Sequence, residues 1–294
     1  MRVAVIINPV SGAASRAGAA QDRARLARRL LRAAGIEAEV RTTERPGHAY
    51  ELARAAVDQH VDLVCAWGGD GTINEVGRAL AFGPASLGIV PAGSGNGLAR
   101  ELGIPWSPAE ALASAVRKPD RSIDAGEIGG RLFFNVAGIG LDAHIAARFP
   151  APTRGARGAL RYVMVTAGQR LIYEPADYQI DFDGGSFQRR LLTVVLANSR
   201  QYGHGAVVAP FAQLDDGALE LVAIEPASML VDLSRARRLF NSTLHLARGV
   251  TMTKVHRVQV TGEAPMPFHV DGEPIAAERR LLVRVHPGAL RVRA

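Results

Sequence analysis

The chain has 294 residues, 35 basic against 28 acidic, a formal net charge of +7, 48% hydrophobic residues and one cysteine. That length suits about two domains with packed cores, and a lone Cys65 excludes a disulfide scaffold and suits a reducing compartment. No apolar run approaches the roughly 18 residues of a membrane span, and Val3–Ile7 before Asn8-Pro9 is too short for a secretory signal, so a cytoplasmic protein is expected.

Only two of the basic residues are lysines, Lys118 and Lys254. Neither stands in a P-loop or in the strand context of a protein-kinase lysine, which excludes both. The basic balance favours phosphates, nucleic acid or anionic lipid as partners without choosing among them.

Along the chain, Val3–Ile7 reads as a short strand stopped by Asn-Pro. Arg16 to Ala34 reads as a helix with Leu26, Leu30 and Leu31 on one face and Gly35 as its stop. Glu37–Arg41 follows as a strand, Ala49–Gln59 as a helix, Leu63–Trp67 as a buried strand, Thr72–Leu80 as a helix and Leu87–Val90 as another strand. Strands alternating with helices predict a parallel sheet, which binds ligands at the carboxyl ends of its strands.

From Asp124 the pattern changes to short strands: Leu132–Val136, Tyr178–Phe182, Leu191–Ala197, Leu219–Ile224, Val255–Val260, Phe268–Val270 and Leu281–Val285. Asp183-Gly184-Gly185 is a turn signal. Helical stretches are expected over Gly158–Ile172 and Ser228–Leu246. This predicts an antiparallel β domain with inserted helices, and a seam near residues 120–130.

Three glycine-bearing segments follow strands of the first part: Asn8-Pro9-Val10-Ser11-Gly12, Gly68-Gly69-Asp70-Gly71-Thr72-Ile73-Asn74-Glu75, and Pro91-Ala92-Gly93-Ser94-Gly95-Asn96-Gly97-Leu98-Ala99-Arg100. Glycines let backbone N–H groups approach phosphate oxygens, and a following helix start adds unsatisfied donors. One such loop reads as readily as a tight turn; three at strand ends of one domain point to phosphate. The Rossmann spacing fails, since Asn74 and Leu98 stand where its last glycine belongs. Asp70 would repel a phosphate unless a metal ion or a hydroxyl lies between them.

Together these segments resemble the diacylglycerol kinase catalytic domain family, which includes bacterial soluble lipid kinases and the sphingosine and ceramide kinases. The family is related to the NAD kinase and phosphofructokinase folds. The resemblance continues through Phe134–Ala143, Leu214-Asp215-Asp216-Gly217 and Val270-Asp271-Gly272-Glu273-Pro274, so that it spans nearly the whole chain. It implies an N-terminal α/β nucleotide domain with a parallel sheet, over about residues 1–124, and a C-terminal antiparallel β-sandwich over about 125–283. Residues from about 284 to 294 are expected to return to the first domain.

The same resemblance implies residue roles. Asn8, Pro9, Ser11 and Gly12 would line the ATP site, with Thr43, or the adjacent Thr42 one register away, also on the nucleotide. Gly68, Gly69, Asp70, Gly71, Thr72, Asn74 and Glu75 would cradle phosphates, with Asp70 on Mg²⁺ or on the accepting hydroxyl. Gly93, Ser94 and Asn96 would complete the nucleotide site. Glu273 matches the proton acceptor for the lipid hydroxyl, which fits phosphoryl-transfer chemistry. Its Asp271-Gly272 neighbours also read simply as a hairpin turn. Asp216 matches a structural Mg²⁺ ligand, with carbonyls near Gln213 and Ala218, or else a surface turn. Asp142 matches a substrate contact or a helix cap.

Other residues read as ordinary. Cys65 belongs to a core strand, His48 to a helix cap, and no histidine spacing suggests zinc. Arg148, Arg154, Arg157, Arg161 and Arg170 form one basic group; Arg235, Arg237, Arg238 and Arg248 form another. Each reads as a solvated face or as a surface for anionic lipid headgroups. The expected function is an ATP-dependent lipid kinase, with diacylglycerol as first substrate and phosphatidic acid as product. The expected partners are ATP with Mg²⁺ and a lipid at a membrane surface, with peripheral membrane association. No nucleic-acid module is present, and a homodimer stays open. The alternatives are a kinase for another lipid, an NAD kinase, and a nucleotide- or lipid-binding regulator on an inactive scaffold.

Overall fold

A computed structural model describes residues 1–12, 18–148, 168–169, 172–203 and 205–294. The helix expected over Gly158–Ile172 falls largely outside the described residues. So do Arg154, Arg157, Arg161 and Arg170, and the start of the helix expected from Arg16. The chain divides into two units, residues 1–123 with 288–294, and residues 124–287.

The first unit runs β1 (Val3–Ile7), α1 (Ala19–Ala33), β2 (Ala38–Thr42), α2 (His48–Asp58), β3 (Leu63–Gly68), α3 (Asp70–Leu80), β4 (Ser86–Pro91), α4 (Gly97–Glu101) and α5 (Pro108–Arg117). The strands lie in the order β2-β1-β3-β4, all parallel, with Val3 opposite both Ala38 and Leu63, and Leu63 opposite Ser86. β1, β3 and β4 are buried along their whole length, which is why they read as continuous apolar runs rather than alternating ones. The chain's end joins this sheet: Val292 pairs in parallel with Leu87, and the Arg293 N–H donates to the Leu87 carbonyl at 3.0 Å.

α1 differs from its expected face. Leu31 is buried, but Leu26 and Leu30 are only half-buried, and Ala24 and Ala27 complete the inward stripe. Methyl-sized side chains let the helix lie close to its neighbours. Gly35, at φ 73, ends the helix as expected. Its N–H donates to Arg32 and that of Ile36 to Leu31, at 3.0 and 2.9 Å, the paired bonds of a left-handed helix stop. α5 was not anticipated: Ser107-Pro108 is a start signal, but its buried face is mostly alanine and gives little contrast.

The second unit holds β6 (Arg131–Phe133), β7 (Val136–Gly140), α6 (Leu141–Arg148), β8 (Ala176–Phe182), β9 (Gly185–Leu191), β10 (Thr193–Ala197), β11 (Gln201–Gly203) and β12 (Ala206–Val207). These are followed by β13 (Leu219–Ile224), α7 (Met229–Phe240), β14 (Val250–Val255), β15 (Arg257–Val270) and β16 (Glu273–Val292). β5 (Arg121–Ile128) leads into it. The main path is β14-β13-β10-β7-β15-β16; β8 and β9 form a hairpin beside β15, and β5 with β6 lies beside β16. The pairing is antiparallel along β14-β13-β10-β7-β15-β16, in the β8–β9 hairpin and its join to β15, and between β5 and β6. The result is an antiparallel, sandwich-like domain. Its core gathers Phe133, Ile139, Tyr178, Leu196, Leu221, Val258 and Phe268, all nearly inaccessible. Burying each large apolar side chain stabilises the fold by about 1.5–3 kcal/mol.

Several expected strands are redrawn. Leu132–Val136 is not one strand but the end of β6, a break and the start of β7, because the Asp271 carboxylate takes the N–H groups of Phe134, Asn135 and Val136. Val255–Val260 divides at His256, whose N–H turns to the Asp183 carboxylate. β9 was missed because its residues are mostly polar and exposed. β15 and β16 run far beyond their apolar cores, through Pro265, Pro267 and an exposed Glu-Arg stretch. The Ser228–Leu246 helix stops at Phe240, and a 3-10 turn follows at Leu244–Leu246. No helix among the described residues is long and apolar enough to cross a membrane.

Candidate active site

The three loops of the first unit leave the ends of β1, β3 and β4. In the first, the Asn8 N–H donates to the Trp67 carbonyl at 2.9 Å, and its side-chain amide donates to Thr72 Oγ1 at 2.9 Å. Its Oδ1 accepts the Val10 N–H at 3.1 Å, a local turn that curls the loop. Arg23 of α1 braces the loop from below, donating to the carbonyls of Asn8 and Ser11, both at 2.8 Å. This contact was not singled out from the sequence; only the position of Arg23 one turn into the helix after the loop hinted at it. Gly12, at φ 80, faces the Ala92 carbonyl so closely that no Cβ would fit.

The second and third loops interlock. A Cβ on Gly93 would lie 2.5 Å from Gly69 Cα, so this position needs glycine for the backbones to meet, and a Cβ on Gly69 would crowd Gly93 Cα at 3.1 Å. Asp70, in the first turn of α3, reaches across. Its two oxygens accept the N–H groups of Asn96 and Gly97, each at 2.8 Å. Asn96 has φ 50 and locks the third loop through both amide atoms, Nδ2 to the Gly93 carbonyl at 2.7 Å and Oδ1 from the Gly93 N–H at 2.9 Å. Ser94 is exposed, and a Cβ on Gly71 would meet nothing within 4 Å, so the space beside the start of α3 is open.

Thr72 and Asn74 are buried, as is Thr43, whose N–H extends the sheet to the Ile7 carbonyl at 2.9 Å. The Glu75 carboxylate takes the Gly47 and Ala49 N–H groups at 2.9 and 3.0 Å, and so caps α2. The cap was expected from His48, whose ring instead accepts the Glu44 N–H upstream of the helix.

In the second unit, Glu273 opens β16 directly after the Asp271-Gly272 turn, opposite Val270. Asp271 and Gly272 both have positive φ, 48° and 85°, which is the tight hairpin geometry that Asp-Gly favours. Asp271 anchors the turn: its carboxylate accepts three backbone N–H groups at 2.9–3.0 Å, and its own N–H donates to the Val136 carbonyl. Glu273 itself is exposed. His269, almost fully buried, lies beneath. Its Nδ1 accepts the Gly272 N–H at 3.2 Å, and its Nε2 meets Asp142 Oδ2 at 2.7 Å. Burial opposes a charge on this ring, but the Asp142 carboxylate overrides it and holds its pKa above the ordinary value. Asp142 is thus a partner of His269 from the first turn of α6. His269 was not singled out from sequence, because its partner is distant along the chain.

Asp216 does not present a bare carboxylate. One oxygen accepts the Ala218 N–H at 3.2 Å, and the other is bound by Lys254 Nζ at 2.6 Å. Ala218 is buried and Gln213 exposed. Among the described residues, no group of three or more His, Cys, Asp or Glu side chains could hold a metal ion. Asp216, bound by an N–H and an ammonium, does not fit as a Mg²⁺ ligand. Of the second basic group, Arg235 is not on the surface: it is buried and donates to the carbonyls of Glu225 and Arg248 and to Asp232. Arg237 and Arg248 are exposed.

Comparison with known proteins decides the family. Residues 2–128 match the diacylglycerol kinase catalytic domain, and residues 135–294 match the YegS C-terminal NAD kinase beta sandwich-like domain. The chain belongs to the diacylglycerol kinase family. It is 33% identical over 264 residues to a probable lipid kinase YegS-like of Chromohalobacter salexigens, covering 88% of this chain and 85% of that one. It is 30% identical over 246 residues to a diacylglycerol kinase of Bacillus subtilis, covering 82% and 80%. A crystal structure of a putative diacylglycerol kinase from Bacillus anthracis shares the fold, with TM-score 0.80 at 22% identity over 99% of this chain and 96% of that one. The family membership makes this chain a kinase with an α/β domain and an antiparallel sandwich-like domain.

Proposed function

We propose that this family member is an ATP-dependent lipid kinase that moves the γ-phosphoryl group of ATP to a lipid hydroxyl, with diacylglycerol as first substrate and phosphatidic acid as product. The observation that carries the reading is the interlock of the second and third loops. Asp70 pins the Asn96 and Gly97 N–H groups, and Gly69 and Gly93 let the backbones touch. This leaves the α3 start, with open space beside Gly71, available to phosphate oxygens. Ser11, Gly12 and Ser94 add donors around the nucleotide.

The hydroxyl oxygen of the lipid attacks the γ-phosphorus, the bond to the β-phosphate oxygen breaks, and ADP leaves. Glu273 accepts the proton lost by that hydroxyl. An exposed carboxylate on a turn anchored by Asp271 suits this role. In the loops, Asp70 already holds backbone N–H groups with both oxygens, so its first task is to shape the loops, and Glu75 caps α2. Mg²⁺ bound to the phosphates of ATP would offset their charge.

The test is transfer of radiolabelled γ-phosphate from MgATP to diacylglycerol, monoacylglycerol, phosphatidylglycerol, sphingosine and ceramide in mixed micelles, with NAD as a soluble acceptor. Label in one lipid, lost in Glu273→Gln, supports the reading and names the substrate. Label in NAD alone replaces it with NAD kinase activity. ATP binding with no labelled acceptor favours a regulator.

A further inference from the structure

Lys254 is one of only two lysines in a chain with 35 basic residues. It stands on β14 directly opposite Glu220 of β13. Its ammonium lies 2.6 Å from Asp216 Oδ2. Glu220 is 5% exposed, and the charges of Asp216 and Lys254 both act on it. Two carboxylates and one ammonium therefore share this corner of the second unit.

The loop carrying Asp216 is also held by the chain itself. The Asp124 N–H donates to the Leu214 carbonyl at 2.6 Å, and Asp124 Oδ2 accepts the Gly217 N–H at 2.7 Å. Asp124 is 2% exposed, so these bonds are sheltered from water. Gly217, at φ 73, supplies the bend between them. The 214–218 turn is thus closed at both ends by protein hydrogen bonds.

We infer that the Lys254 ammonium is the resident cation of the Asp216 loop, standing where family resemblance places a structural Mg²⁺. Mg²⁺ needs oxygen ligands at about 2.1 Å in a near-octahedral shell. The oxygen of Asp216 that would face it is bound by the ammonium, and like charges oppose each other at that range. Strand register sets the Lys254 backbone opposite Glu220, and its ammonium reaches the loop at Asp216. Lys254 thus stands opposite one buried carboxylate, Glu220, and binds a second, Asp216. The inference concerns folding of the sandwich domain and does not depend on which acceptor is phosphorylated.

The test uses the full chain without nucleotide: wild type, Lys254→Met and Asp216→Asn, melted in EDTA and in Mg²⁺. Mn²⁺ binding is followed in parallel by electron paramagnetic resonance. The expected result is a wild-type melting temperature that is the same in EDTA and Mg²⁺. Lys254→Met should melt several degrees lower in EDTA, recover in Mg²⁺, and bind one Mn²⁺ more than wild type. A wild-type rise in Mg²⁺ that Asp216→Asn abolishes would overturn the inference. So would a Lys254→Met protein that matches wild type in both conditions.

Discussion

His269 and Asp142 form a sheltered pair, Nε2 to Oδ2 at 2.7 Å, and the other ring nitrogen of His269 accepts the N–H of Gly272, one residue before Glu273. The proton therefore sits on Nε2 when Nδ1 accepts, and Asp142 fixes that arrangement. Three of the groups around Glu273 (Asp142, His269 and Asp271) thus act on the turn that carries it, while Glu273 is free to meet solvent.

This arrangement makes His269 a positioning residue. His269→Ala removes a hydrogen-bond donor from the sheltered Asp142 carboxylate, at a cost of about 1–3 kcal/mol. Asp142→Asn keeps an acceptor for Nε2, so its cost should be near 1 kcal/mol. In kinase assays Asp142→Asn should lower kcat about tenfold through displacement of the Glu273 turn, with KM for ATP unchanged. A change in ATP KM with kcat intact would assign Asp142 to nucleotide binding instead.

Gly93→Ala tests the loop interlock. The new methyl would lie 2.5 Å from Gly69 Cα and 2.9 Å from Asn96 Oδ1, so the loops must shift. The second and third loops should separate, with a loss of about 1–3 kcal/mol in stability. ATP affinity by calorimetry should fall at least tenfold while circular dichroism stays native. Unaltered ATP binding would show that the contact is not needed for the nucleotide.

Cys65 should be silent in the folded protein. It is fully buried on β3, and burial pushes its thiol pKa up to about 12, against a small opposing effect of Arg293. A buried thiol at neutral pH is neither ionised nor reachable. A maleimide should label the chain only after denaturation; rapid labelling of the native protein would contradict the burial of β3.

The chain's end is tied down by a carboxylate. Hydrogen bonds from Arg293 and Ser86, against a small opposing effect of burial, hold the Asp120 carboxyl below its usual range. A depressed carboxylate contributes stability above its unfolded pKa of about 3.9 and loses it as pH falls through the folded value. Asp120 is 39% exposed, so the contribution is about 1 kcal/mol or less. The protection factors of the Val292 and Arg293 amides, corrected for intrinsic exchange, should fall on acidification below about pH 4, and Asp120→Asn should remove that dependence. A pH-independent protection factor would show that the strand is held by the sheet alone.

Much of the α/β unit was legible because its signals are local. Val3–Ile7, Leu63–Trp67 and Leu87–Val90 are apolar runs ended by Asn-Pro, Gly-Gly and Pro, and parallel strands buried on both faces have that look. The second unit was harder to read. β9 and most of β16 carry exposed polar residues, and their strand form rests on ladder partners elsewhere in the chain.

The amino-acid sequence by itself determined which residue types stand at the strand ends: the glycines of three loops, Asp70, Glu273 and the Asp-Gly turn before it. Short-range backbone preferences are enough to do that, since glycine, proline and asparagine act on their immediate neighbours. Only the tertiary structure decided what the polar side chains do. Asp70 meets Asn96 across 26 residues, Glu75 caps Gly47 across 28, Lys254 reaches Asp216 across 38 and Asp271 gathers Asn135 across 136. A carboxylate in a loop has the same local signature whether it awaits a metal, a proton or a backbone N–H. The choice is made by which donors the fold brings within about 3 Å, because a buried acceptor left without one is costly.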